Sequence, residues 1–317
     1  MKRLFFVAAA AFITSANGQS YPTKPVRIVL PFAAGGVADI VTRTMAQKIS
    51  EPLGQQVVVE NRPSAGGIVA AEAVKTAAPD GYTLMLLSNG TAVSVSLFKS
   101  LPFDPVKDFA PISMMGTFDM LLVVPASSPY NSVKELVAAA KAAPNKIAIG
   151  TITAGSTQHL AMELFVSLAG VDMQAIPYKT TPEVFSALRS GDIQAGVDFI
   201  APIMGQLKGG VVKALGVTGE RRFPGLKDVP TIAEAGVTGY QTNSWNALGA
   251  PVKTPRPIID RLNREVVAAT VAADVKEKLL SLGVETRSST PEELGKLLAS
   301  EISKWARVIE RANIPKQ

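Results

Sequence analysis

The 317-residue sequence predicts an α/β fold in two lobes, on three observations. Apolar strand-like runs alternate with amphipathic helical runs, the pattern of mostly parallel sheets covered on both faces. The alternation falls into two series, one before and one after residue 120. The length also exceeds one ordinary core and suits two units of about 120–180 residues each.

The first residues stand apart from that pattern. "MKR" is basic, "LFFVAAAAFI" is a short apolar run, and Ala16 and Gly18 are small. Together they form a secretory signal, expected to span 1–18 with cleavage before Gln19. Ten apolar residues are too few to cross a bilayer as a helix. The sequence contains no cysteine, which excludes a lipidated cysteine and disulfides. The expected mature chain is an exported, soluble protein, periplasmic in a Gram-negative source.

The elements then follow in order. "VRIVLPF" (26–32) reads as a strand and Val37–Ser50 as a helix. "QVVVEN" (56–61), a helix over Gly67–Ala77 and "YTLMLLS" (82–88) continue the series. Ala78-Pro79-Asp80-Gly81 is a turn, in which proline ends the helix and glycine frees the backbone. The second series opens on "LLVVP" from Leu121, and Ser132 caps "VKELVAAAKAA". "KIAIG" (146–150) leads into a helix at 156–170 closed by Gly170. "MQAIPY", a helix over Pro182–Arg189, "IQAGVDF" and "VKALGVT" complete it.

After the strand-like "WNALGAP" (245–251), three helices are expected at about 256–272, 274–282 and 291–312. They have no sheet of their own and should pack on the first lobe. Lobe 1 is therefore read as 19–122 plus 245–317, and lobe 2 as 123–244. The chain would cross twice, near 121–125 and near 243–248, making a hinge beside a cleft.

The glycine turn Phe32, Ala33, Ala34, Gly35 and Gly36 stands between the first strand and its helix. It lacks the spacing of a dinucleotide fingerprint, and no Lys-Ser/Thr follows as in a phosphate loop. What remains is a set of amides at a helix start, where the dipole favours a carboxylate or another small anion. Asp39 reads either as a partner of these local amides or as a ligand contact. Gly155, Ser156 and Thr157 form a second such turn in the other lobe. Ser88 and Asn89 close the strand expected beside the first turn. A ligand with two acidic ends, or one acidic and one polar end, would match.

No catalytic set emerges. His159 is the single histidine, too few for a histidine-rich metal centre, and no Gly-x-Ser-x-Gly elbow occurs. No metal and no cofactor are expected. Asp198, at a strand end, reads either as the cap of the next helix or as an acceptor for a ligand's ammonium or hydroxyl. Tyr178 and Trp245 stand at strand ends and read as cleft lining or as core. Loss of Lys2 and Arg3 lowers the basic count of 32 by two, against 26 acidic residues, and the net charge from +6 to +4. That excess mildly favours acidic ligands but lacks the basic blocks of a nucleic-acid binder.

"YPTKPVRIVLPFAAGGVAD", "VVVENRPSAGG", "AAPDGYTL", "LPFDPVKDFAPIS", "DVPTIAEAG" and the "STPEEL…EISKWARVI" ending resemble one family. It is the substrate-binding receptor family of tripartite tricarboxylate transporters, the Bug-type receptors, and the resemblance runs from Tyr21 to about Ile314. It implies a type II periplasmic-binding fold that closes around a small ligand like a Venus flytrap. The implied ligands are di- or tricarboxylates, aromatic acids, acidic amino acids or nicotinic acid derivatives. The implied partner is a membrane permease, with the receptor as a monomer. The resemblance places a carboxylate on Phe32–Gly36 through main-chain atoms and water. It carries the second-lobe contacts to Gly155–Thr157, His159 and Asp198. Ala33 and Ala34 stand where the family commonly has prolines, and Thr180 where it has glycine, so ligand identity does not transfer directly. Two other roles remain open at this stage. One is a sensory partner of a membrane kinase. The other is an exported hydrolase or lyase, for which Asp198 with His159 is the one acid–base pair on offer.

Overall fold

The computed structural model describes residues 21–317, so the expected signal segment lies outside the described residues. Two sheets organise the chain. The first runs β11-β4-β10-β3-β1-β2, where β1 is Val26–Leu30, β2 Val57–Asn61, β3 Thr83–Ser88, β4 Phe109–Phe118, β10 Ser244–Pro251 and β11 Val284–Thr286. The second runs β7-β6-β8-β5-β9, where β5 is Met120–Pro125, β6 Ala148–Ile152, β7 Gln174–Tyr178, β8 Ala195–Phe199 and β9 Val212–Val217.

The expectation of mostly parallel sheets needs correction. β1 pairs in parallel with β2 and β3, and β6 with β7 and β8. The other pairs, all involving β5, β10 or β11, are antiparallel. β5 and β10 are the strands by which the chain enters the second sheet and returns to the first, and each arrives against the direction of its neighbours. An apolar run buried on both faces reads the same in either direction, so the sequence does not reveal this.

β4 is the longest strand and was not among the expected elements. Pro111 and Gly116 interrupt its pattern, and the structure absorbs both at irregularities. Asn246 faces Gly116 while Ala247 faces Met114, and Leu248 faces Ser113 while Gly249 faces Pro111. One residue of β4 is skipped at each step, as in a β-bulge, where a proline is tolerated.

The helices pack on both faces of the first sheet. α1 (Val37–Leu53) and α8 (Arg256–Val271) share one core, with Val41, Met45 and Ile49 against Leu262 and Val266. α10 (Pro291–Arg311) covers the opposite face with Leu294, Leu298 and Trp305, next to Trp245 and Leu87. Its start is fixed by a capping box between Thr290 and Glu293. α9 (Ala273–Leu280) packs beside β11. In the second sheet, α4 (Val133–Ala142) and α5 (Thr157–Ala169) cover one face, and α6 (Thr181–Ser190) and α7 (Ile200–Lys208) the other.

The first change of sheet occurs at Asp119, between β4 and β5, so all of "LLVVP" belongs to the second sheet. The return lies between Val217 and Ser244. The two passages are tied together: Thr218 N–H donates to Met120 O at 3.0 Å, and Met120 N–H donates to the Thr218 hydroxyl at 2.9 Å.

Candidate functional site

Two loops at strand ends form the candidate site, and they are built alike. Phe32–Gly36 joins β1 to α1 and is exposed along its length. Gly155 and Ser156 stand between β6 and α5. Gly35 has φ of 85° and Gly155 has φ of 80°, a left-handed backbone that only glycine adopts without strain. In each loop the glycine N–H donates to a side chain four residues on. Gly35 donates to Asp39 Oδ2 at 3.0 Å, and Gly155 donates to His159 Nδ1 at 3.0 Å. Each contact turns the loop over a helix start whose first amides have no acceptor within the helix.

Asp39 is therefore occupied by its own loop. It is buried, and it also accepts from Arg43 Nε at 3.0 Å and Asn61 Nδ2 at 2.9 Å. Burial alone would raise the pKa of its carboxyl. The hydrogen bonds from Arg43, Gly35 and Asn61 and the Arg43 charge outweigh that and hold it below the usual aspartate value. Asn61 also donates to Phe32 O at 3.0 Å, and Arg43 donates to Asn61 Oδ1 at 2.7 Å. Asn61 and Arg43 thus brace the first loop from outside. Asn61 lies in the "VVVENRP" motif, but its role there was not read from the sequence.

The second loop has its own bracing. The Ser156 hydroxyl donates to Ile152 O and accepts from His159 N–H at 3.1 Å. His159 Nδ1 accepts the hydrogen bond from Gly155 N–H, which leaves the imidazole N–H at Nε2, 3.4 Å from Glu163 Oε1. Asp198, at the end of β8, is buried and accepts from Gln158 Nε2 at 3.0 Å, from Phe199 N–H at 2.8 Å and from the Thr181 hydroxyl. It ties together the starts of α5, α6 and α7. Of its two expected roles, these bonds favour the structural one. His159 and Asp198 each hold loop groups, and the hydrogen bonds give no acid–base pair between them.

The loops belong to different sheets, and the structure brings their surroundings into direct contact. Asn89 opens α3 (Asn89–Leu97), with Ser88 as its N-cap. Asn89 Nδ2 donates to the Thr157 hydroxyl at 2.9 Å, from one half of the molecule to the other. A Cβ on Gly155 would stand 2.9 Å from Leu97, and one on Gly90 would lie 3.9 Å from the Phe32 ring. Phe32, Ser88, Asn89, Gly155 and Thr157 are thereby grouped where the two halves meet. The Ser88 hydroxyl is buried without a hydrogen-bond partner.

The two aromatic candidates turn their rings into the packing, although Tyr178 O accepts from Thr153 N–H at 2.8 Å, just before the second loop. Trp245 is buried in the core beneath α10. Tyr178 packs with the core on the α6 side, its ring near Gly150. Burial, with the charge of Asp192, raises its hydroxyl pKa. Among the described residues, no group of three or more His, Asp or Glu side chains is placed to hold a metal ion.

The family model described as "Tripartite tricarboxylate transporter family receptor" matches residues 41–314. The chain belongs to that family. The BugT protein of Bordetella pertussis is 33% identical over 306 residues, covering 96% of this chain and 94% of its own. Among solved structures, Rpa4515 of R. palustris with adipate is 34% identical at a TM-score of 0.78, covering 94% of this chain and 100% of its own. MatC of Rhodopseudomonas palustris with bound malate is 33% identical at a TM-score of 0.73, covering 91% and 100%. The two-sheet fold is thus that of the family's periplasmic solute-binding proteins, which are receptors rather than enzymes.

Proposed function

We propose that the mature chain is a periplasmic receptor that captures a small organic carboxylate and hands it to the permease subunits of a tripartite tricarboxylate transporter. Residues up to 118 with 244–317 and residues 120–243 act as the two lobes, each carrying one sheet, with the hinge at the paired passages around Asp119 and Thr218; the boundaries read from the sequence move because β5 begins at Met120 and β10 at Ser244. One observation carries the reading. Two loops of the same construction stand over helix starts, one in each half, and the halves are joined beside them by the Asn89–Thr157 hydrogen bond, with the Phe32 ring next to Gly90. Their free amides and dipole ends suit anionic groups. The adipate and malate bound by two relatives of similar fold support a dicarboxylate as the ligand.

Phe32–Gly36 would hold one carboxylate through backbone N–H groups, and Asn89 with Thr157 would border the other end. Asp39, His159 and Asp198 hold the loops in shape. Calorimetry of the purified mature protein with adipate, malate and their neutral amides tests this, with scattering to follow closure. Acids should bind, amides should bind far more weakly, and the radius of gyration should fall with ligand. Equal affinity for acid and amide would remove the anion argument.

A further inference from the structure

Asn89 and Trp305 are both fully buried, so water cannot replace either partner. The Trp305 indole N–H donates to Asn89 Oδ1 at 2.7 Å and is shared with Glu301 Oε2 at 2.9 Å. An indole N–H can only donate, so the Asn89 carboxamide has a single orientation here: oxygen toward Trp305, NH2 toward Thr157. The Thr157 hydroxyl oxygen must then accept from Asn89 Nδ2. Its own proton stays free, and among the described residues it makes no other hydrogen bond. Thr157 is also the first residue of α5, where the backbone amide lacks an intrahelical acceptor.

We propose that Trp305, on the C-terminal helix, is a positioning residue for ligand selection: through Asn89 it sets the Thr157 hydroxyl as a donor toward the cleft. The inference rests on the carboxylate reading and deepens it. The order of bonds runs one way, from indole to amide to hydroxyl, and ends in a proton offered beside the amide of a helix start. A carboxylate oxygen satisfies both donors. A neutral amide can offer them only its carbonyl oxygen, a weaker acceptor without charge, and its N–H satisfies neither.

The decisive variant is Asn89→Asp. A carboxylate in place of the amide still accepts from Trp305, but it now accepts from Thr157 as well. The hydroxyl proton turns away from the cleft, its lone pairs face the ligand, and a negative charge is added. The preference for adipate over adipamide should fall about 10- to 100-fold, the range of a hydrogen bond to a charged group. Trp305→Phe keeps the ring but removes the donor, frees the amide to turn over, and should give a smaller fall of the same sign. Thr157→Val should lower the preference by a similar factor, and Thr157→Ser, which keeps the hydroxyl, should retain it.

A second readout needs no ligand. The chain has two tryptophans, so the indole N–H region of a proton–nitrogen NMR spectrum should hold two signals, assigned by Trp305→Phe. Asn89→Asp strengthens the acceptor and should move the Trp305 indole proton downfield. An indole signal indifferent to Asn89→Asp, or an acid preference undiminished by that substitution in folded protein, would overturn the relay. Failure of wild-type protein to bind any acid would instead overturn the carboxylate reading on which it rests.

Discussion

Asp119 offers the sharpest test of how the two halves are joined. Its side chain is 7% exposed and sits at the passage between β4 and β5. The second passage presses against it, since a Cβ on Gly219 would lie 2.5 Å from Asp119 Oδ2. Burial, reinforced by the Glu285 charge and opposed by Arg221, pushes its carboxyl up from 3.8 to about 7. A raised folded-state pKa means that the contribution is fully present below pH 3.8 and is lost as the pH rises through 7. Between those values the unfolded chain ionises first, so stability falls. Above pH 7 both states are ionised and the full penalty stands, about 4 kcal/mol at roughly 1.4 kcal/mol per pH unit.

Asp119→Asn cannot ionise and keeps the shape. It should therefore stabilise the protein by up to about 4 kcal/mol at pH 8, and by only about 1.5 kcal/mol at pH 5. Urea unfolding followed by tryptophan fluorescence at pH 5, 6, 7 and 8 measures the difference from wild type, in which all other titrations cancel. A gain that is the same at every pH, or a loss at pH 8, would refute the argument. The first result would mean that the carboxyl ionises as freely in the folded protein as in the unfolded chain. The second would mean that its charge is stabilised by the neighbouring ion pair of Arg221 and Glu285, which are 2.8 Å apart.

The two glycines of the first loop should behave differently. Gly35→Ala places a side chain at φ of 85° and should lower stability by about 1–2 kcal/mol, whereas Gly36 has φ of −75° with its nearest neighbour 3.9 Å away, so Gly36→Ala should leave the melting temperature unchanged. Asp198→Ala strips acceptors from Gln158, Thr181 and Phe199 and should cost about 1–3 kcal/mol for each buried donor left unpaired. Asp198→Asn keeps an acceptor and the shape and should weaken every ligand alike in calorimetry; selective weakening of ligands with an ammonium or hydroxyl would restore a direct contact for this residue.

The sequence made legible what is local. Helix starts carry their own capping chemistry: Ser132 accepts the bond expected of it, and Ser156, read from the sequence as a ligand contact, accepts from His159 N–H in the same way. The glycine turns were equally visible, because a left-handed turn before a helix leaves glycine as its trace. Contacts between distant segments left no such trace. Trp305 meets Asn89 across 216 positions, and Asn61 reaches Asp39 across 22. Strand faces failed for a related reason. Successive side chains of a strand point to opposite sides, so a position at a strand end does not reveal which side it takes. Tyr178 and Trp245 were therefore open between cleft and core; Trp245 lies in a core cluster, and Tyr178, partly buried, packs against another.

The pairing of Asp39 with His159 bears on charge. Both accept a loop N–H from four residues earlier, yet one is an acid and the other an imidazole. An anion approaching the first loop would be repelled by a bare carboxylate there. Arg43 offsets that charge, with its Nε 3.0 Å from both Asp39 oxygens and half of its side chain exposed. In the second loop the same geometry is reached with Nδ1 of a neutral imidazole, which adds no negative charge to be offset. Its other nitrogen turns to Glu163, away from the glycine turn. Both helix starts therefore keep their dipoles uncancelled by the groups that shape them, as the proposed capture of acidic ends requires.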